Sequence, residues 1–123
     1  KGAVTSKRSH LCIIDDAIKS ADDIKNRDIR QAMEDNWNSV IVPTMFEGGR
    51  AICLGTRFRH DDIHNSTFIP ANDWVQIIQS AITVDDNGDE ISYWPDMWSL
   101  DYLRDRRRQA PVAFSFQYQN QVV

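Results

Sequence analysis

Two adjacent carboxylates, Asp15 and Asp16, follow directly on the apolar run Leu11-Cys12-Ile13-Ile14. Such a pair can hold a hard divalent cation through water and can orient or deprotonate a second water for attack on a phosphoryl group. A second constellation, Gly55-Thr56-Arg57, ends the apolar run Ala51-Ile52-Cys53-Leu54. Its hydroxyl could sense a terminal phosphate and pass that contact to moving parts. The plainer alternative is that Asp15 and Asp16 cap a loop and Thr56 ends a strand. His60 and His64, four residues apart, could share a helix face as metal ligands, but no third ligand is evident.

These residues need elements to position them. A short apolar run without alternation reads as a strand buried on both faces, as in a parallel sheet. The carboxyl ends of such strands are where open α/β sheets place their ligands. A strand ending in two acids has the form of a Walker B segment, one acid directed to Mg²⁺ and the other to the attacking water. Between the two runs, Ser20 and the acids Asp22 and Asp23 make an N-terminal helix signal. Ile24, Ile29, Met33, Trp37, Val40 and Ile41 then recur at helical spacing, which predicts an amphipathic helix over about 20–42, stopped by Pro43. Asp22, Lys25, Arg30 and Glu34 fall on its solvated face. A helix between two strands makes them parallel, and parallel neighbours lie about 4.8 Å apart, so both constellations could converge on one ligand.

Further along, a short helix is expected from Asp61 or Asp62 to before Pro70, and a third strand within 74–84. Asn87-Gly88 predicts a type I′ hairpin turn into a strand over 90–94. The acid-rich turn is not an EF-hand, because a loop starting at Asp85 needs glycine where Glu90 stands. Ser99 caps a final helix with Leu100 and Leu103 inward and Arg104, Arg106, Arg107 and Arg108 outward, ended by Pro111. The tail Phe114–Gln121 alternates aromatic and polar residues and reads as strand or packed extended chain.

With 123 residues the chain fits a single domain over 1–123, with room for a core but short for a complete nucleotide-hydrolysing machine. Net charge is −4, which excludes a generic DNA-coating surface but not a local basic patch. Arg104–Arg108, beside Tyr102, are candidates for DNA-phosphate contact; equally, they suit a solvated helix C-terminus. No apolar run approaches the roughly 20 residues that cross a membrane, and no leader peptide is expected from the first residues. Cys12 and Cys53 lie in apolar runs and read as small buried hydrophobes, which favours a reducing, intracellular setting. The phosphate-cradling G-x-x-x-x-G-K-[ST] is missing, as are G-x-S-x-G, H-E-x-x-H and C-x-x-C. The first residue is Lys1, so the expectation is a piece of something longer.

In order, KGAVTSKRSHLCIIDD, EDNWNSVIVPTM, GGRAICLGTRFRHDDI, WVQIIQSAI, YWPDMWSLDYLRDRRR and FSFQYQNQ make a series. From Lys1 to Gln121 it resembles the large terminase subunit of tailed bacteriophages, the ATP-driven DNA-packaging motor. The resemblance implies that Asp15 is the Walker B magnesium residue, that Asp16 stands at the catalytic acid, and that Gly55, Thr56 and Arg57 form the coupling motif. His60 and Asp62 match the same signature. The implied fold is α/β, a mainly parallel sheet with helices on both sides and a C-terminal β-hairpin, as a partial P-loop NTPase of the ASCE type. The P-loop is expected upstream and the nuclease domain downstream, so the piece alone should bind nucleotide poorly and hydrolyse nothing. Mg²⁺ and ATP are the implied cofactors. The implied partners are double-stranded DNA, the portal protein, the small terminase subunit and other copies of the motor subunit, in the host cytoplasm and transiently at the procapsid portal vertex.

Two rival functions remain. One is a non-catalytic assembly module whose Trp37, Phe114, Phe116 and Tyr118 form an interface. The other is a metal-dependent phosphodiesterase using His60, Asp61 and Asp62.

Overall fold

The first two apolar runs pair side by side. In the computed structural model, which describes residues 8–122, β1 (Ser9–Asp15) and β2 (Met45–Leu54) are parallel. Cys12 lies opposite Ala51, Ile14 opposite Cys53, and Asp15 opposite Leu54. The connection is helical but interrupted. Residues Ala21–Ile24 form a 3₁₀ turn, and α1 (Arg27–Asn36) starts afresh at Asn26, whose side chain accepts the Ile29 N–H at 2.9 Å. The chain then loosens into a π turn over Trp37–Ile41 and tightens into a 3₁₀ turn over Val42–Thr44 that contains Pro43. A continuous helix over 20–42 is therefore corrected. The carboxylate of Asp23 takes the N–H groups of Lys19 and Ser20, closing a local turn, and Asn26 supplies the real helix cap.

The helical connection covers one face of the parallel pair. Ile14, Ala51 and Cys53 pack against a cluster of Ile18, Ile24, Trp37, Ile63 and Phe68, and Cys12 is half-buried. Trp37 meets Phe68 edge-on, with ring centroids 5.1 Å apart, and Trp74 packs beside both. Each such buried side chain contributes about 1.5–3 kcal/mol of transfer free energy. The other face stays open: Leu11, Ile13, Ile52 and Leu54 are 48–60% exposed. Strands buried on both faces, with helices on both sides, are thus not what forms.

The third strand is also shorter than expected. Only Ile82–Val84 forms β3, and it pairs antiparallel with β4 (Glu90–Ser92) in a separate two-stranded sheet. Residues 74–81 run without a ladder, and Val75 and Ile77 are each 92% exposed. The hairpin turn is not type I′, since Gly88 has a positive φ of 87° and Asn87 does not. Asp85 organises it, its carbonyl accepting the Gly88 N–H at 3.0 Å and its carboxylate the N–H groups of Asn87 and Asp89. This is a three-residue loop with glycine at the left-handed position.

α2 (Leu100–Gln109) starts where Ser99 Oγ accepts the Tyr102 N–H, and it buries Leu103 completely. Pro111 ends it but also opens α3 (Pro111–Gln117), because proline's fixed φ suits a first helical turn. The tail is therefore helical here, not extended. Phe114 and Tyr118, four apart, stack with centroids at 5.0 Å, and Phe114 joins Ile82 and Leu103 in a second core. Beyond α3, the Gln119 side-chain amide accepts the Ile82 N–H at 2.8 Å and donates to the Ile82 carbonyl at 3.0 Å.

The result is a small α/β protein with a parallel strand pair, an antiparallel hairpin and flanking helices. Among the described residues no helix is long and apolar enough to cross a membrane.

Candidate functional site

Parallel pairing brings the two sequence constellations to the same end of the sheet. Asp15 sits opposite Leu54, and the Asp16 N–H donates to the Leu54 carbonyl at 3.0 Å, one residue before Gly55. Asp16 holds a left-handed φ of 51°, a region that aspartate tolerates better than most residues. Both acids are exposed, and Thr56 and Arg57 are half-buried beside them.

The turn after Arg57 is tied to one buried carboxylate. Asp62 is 0% exposed. Its Oδ2 accepts the N–H groups of Phe58 and Arg59, at 2.8 and 3.1 Å. Its Oδ1 accepts those of His64 and Asn65, at 3.1 and 3.3 Å. Four backbone donors compensate the charge and lock the turn into one shape. Its neighbour Asp61 lies 3.0 Å from Arg30 and 2.8 Å from Arg59, and the Arg59 hydrogen bond holds its carboxyl below the usual range. Asp62 thus has both oxygens engaged by backbone N–H groups, while Asp61, paired with two arginines, remains about a third exposed.

The two histidines part company. His60 is exposed, with Nε2 4.0 Å from Asp61. His64 is 8% exposed, its Nδ1 4.0 Å from Cys53 Sγ, and its Nε2 has no hydrogen-bond partner among the described residues. Burial lowers its pKa, against the opposing pull of Asp62. Burial likewise pushes the Cys53 thiol up to about 11, with Cys12 adding to the effect. The expected His60–His64 pair is thus divided, one ring out and one in. No group of three or more histidine, cysteine, aspartate or glutamate side chains that could hold a metal forms among the described residues.

Arg57 donates from Nη1 to Asn65 Oδ1 at 3.1 Å and makes no ion pair among the described residues. Burial lowers its pKa, with Asp62 opposing. Arg57 and His64 both line a cavity of about 140 Å³ that opens beside Gly55, walled on its apolar side by Phe68, Trp74 and residues 75–78.

The four arginines of α2 are mostly neutralised within the chain. Arg107 is 2.7 Å and Arg104 3.2 Å from Glu90, and Arg108 pairs with Asp105. Arg106 donates to Gln109 at 2.8 Å and has no acid partner among the described residues. The residues named for an assembly interface are not free either. Trp37, Phe114 and Phe116 are buried, and Tyr118 is half-buried against Phe114.

The sequence reading missed the Asp62 lock and the inward turn of His64. Asp62 carried a local signal, an aspartate placed to accept backbone N–H groups before a helical turn. His64 carried none, since its burial depends on Gly55 and Cys53 from a distant strand. No family model, curated protein or solved structure matches the chain.

Proposed function

We propose that this chain contributes the acid pair and the coupling turn of an ATP-hydrolysing site, within a P-loop NTPase of the terminase type that packages double-stranded DNA. The observation that supports it is the hydrogen bond from the Asp16 N–H to the Leu54 carbonyl, which sets Asp15 and Asp16 against Gly55, Thr56 and Arg57. Two exposed carboxylates suit Mg²⁺, which keeps several waters and takes one or two carboxylates. Bound Mg²⁺ would neutralise phosphate charge. Asp15 would hold it, and Asp16 would orient the attacking water. Thr56 and Arg57 report the phosphate state to the turn locked by Asp62, as a rigid lever would. Asp16 holds an uncommon backbone conformation of the kind that concentrates at working sites. The phosphate-cradling loop comes from outside residues 1–123. In this reading the portal protein, the small terminase subunit and further motor copies are the partners, and Arg106 is the arginine of α2 best placed to meet DNA.

The test is ATP turnover by the full reading frame that contains this sequence, with Asp16→Ala and Thr56→Ala. Asp16→Ala is expected to abolish turnover while leaving nucleotide binding intact, and Thr56→Ala to uncouple DNA movement from turnover. Normal turnover with Asp16→Ala overturns the reading.

A second reading, a non-catalytic assembly module, draws on the open face of Leu11, Ile13, Ile52 and Leu54 together with exposed Val75 and Ile77. It predicts concentration-dependent self-association that Ile13→Lys abolishes. A chain that stays monomeric at all concentrations removes it in its self-associating form.

A further inference from the structure

The cavity beside Gly55 joins two polar groups that the rest of the fold leaves unanswered. The His64 imidazole is nine-tenths buried, and its Nε2 is without a partner among the described residues. Its Nδ1 faces the Cys53 thiol. In the tautomer where the Cys53 S–H donates to Nδ1, the ring proton sits on Nε2. The unanswered group is then a donor.

Arg57 is the second. Its guanidinium spends one donor on Asn65 and makes no ion pair among the described residues, although it is half-buried. The nearby acids do not answer it. Asp62 is engaged by four backbone N–H groups and Asp61 by Arg30 and Arg59. A cation and a neutral N–H donor therefore share one cavity of about 140 Å³. At about 30 Å³ per water, that is room for four or five water-sized groups, about what a tetrahedral oxyanion fills. The walls formed by Phe68 and Trp74 lower the local dielectric and strengthen any hydrogen bond made there.

We propose that this cavity binds a phosphoryl oxyanion, with the Arg57 guanidinium and the His64 Nε2–H as its donors. Arginine's planar fork can take two oxygens of such a group and leave a third for the imidazole. Gly55 lines the cavity and lies close against the imidazole, a Cβ there falling 2.6 Å from Nε2, so the anion reaches the buried nitrogen by displacing a residue without a side chain. The anion could be free inorganic phosphate or the terminal phosphoryl group of a nucleotide. Only the second source rests on the ATPase reading.

The experiment is a titration of the chain, with ¹⁵N-labelled histidine, by inorganic phosphate and separately by Mg-ATP, following the ring nitrogens by NMR at constant ionic strength. His64 is expected to show a saturable shift with phosphate, while exposed His10 and His60 do not. Arg57→Gln should weaken that binding roughly tenfold or more, the loss of a charged hydrogen bond. His64→Gln, which keeps an amide donor, should retain phosphate binding read from the Gly55 and Thr56 amides. Backbone spectra of both variants report that they are folded. No saturable shift at His64, or one unchanged by Arg57→Gln, overturns the site. Saturation by phosphate with none by Mg-ATP upholds the site for free phosphate, and the same Mg-ATP titration on the full reading frame, which supplies the phosphate-cradling loop, then decides the nucleotide source. Mg-ATP binding that leaves His64 unmoved, with phosphate inert, overturns the site and leaves the ATPase reading standing.

Discussion

A Cβ on Gly55 would lie 2.6 Å from both Cε1 and Nε2 of His64. The end of β2 and the helical turn at His64 can approach this closely only because position 55 carries no side chain. Gly55 has an ordinary negative φ, so contact distance, rather than backbone conformation, is what demands glycine there.

Gly55→Ala should therefore destabilise the fold by about 1–3 kcal/mol, the usual range for overpacking a filled site. His64→Ala removes the obstacle, so the double variant should lose less than the sum of the two singles. Urea denaturation of all four chains measures the coupling, expected above about 0.5 kcal/mol. Strict additivity would show that the ring moves away freely.

Asp62→Ala leaves the N–H groups of Phe58, Arg59 and His64 without their acceptor, while that of Asn65 keeps the Asp62 carbonyl at 3.0 Å. The expected loss is about 3 kcal/mol or more, typical of breaking a buried charged network. Asp62→Asn keeps one acceptor oxygen and should fall between Ala and the wild type. An Asp62→Ala chain of full stability would mean that the turn holds without its carboxylate.

Arg107, with Arg104, draws the Glu90 carboxyl from about 4.5 down to about 2. The folded chain then binds fewer protons than the unfolded one between those values, so stability rises with pH across that window. The contribution is complete above about pH 4.5 and fades as pH falls towards 2. Glu90→Gln should be less stable than the wild type at pH 6, and the two should converge near pH 2. Parallel curves at all pH values would contradict the pairing.

Cys53, with its thiol raised to about 11 from a usual 9.0, should react roughly a hundredfold more slowly with iodoacetamide at pH 8 than an open thiol does. Mass spectrometry of peptides alkylated under native and denaturing conditions reads the ratio. His64→Ala opens one wall of its surroundings and should raise the native rate.

The meeting of Asp15–Asp16 with Gly55–Arg57 was legible because two apolar runs flanking a helical stretch leave little choice but parallel pairing. The faces of those strands were not legible. Leu11-Cys12-Ile13-Ile14 is apolar at every position, so nothing in it distinguishes half-buried Cys12 and Ile14 from open Leu11 and Ile13. Trp74–Ile78 has strong strand composition, yet pairing needs a partner edge, and composition does not supply one. Phe114, Phe116 and Tyr118 alternate like a strand, but Phe114 and Tyr118 also satisfy the i, i+4 spacing of a helix. Pro111 at the first turn decided between them. The Asp62 lock was legible in residue type, whereas the burial of His64 came from tertiary contact alone.

β3 is three residues long, and one flank pairs with β4. On the other flank, Ile82 meets the amide of Gln119, which both accepts and donates as a peptide group would. One side chain thus stands in for a missing neighbour strand at the point where a bare edge would invite another chain to add itself. Glutamine suits this task because its carboxamide carries the same donor and acceptor as the backbone, while glutamate would lose the donor and leucine both. That edge of the hairpin is thus closed from within the chain, by the Gln119 amide and by the Tyr118 carbonyl, which accepts the Ala81 N–H at 2.9 Å.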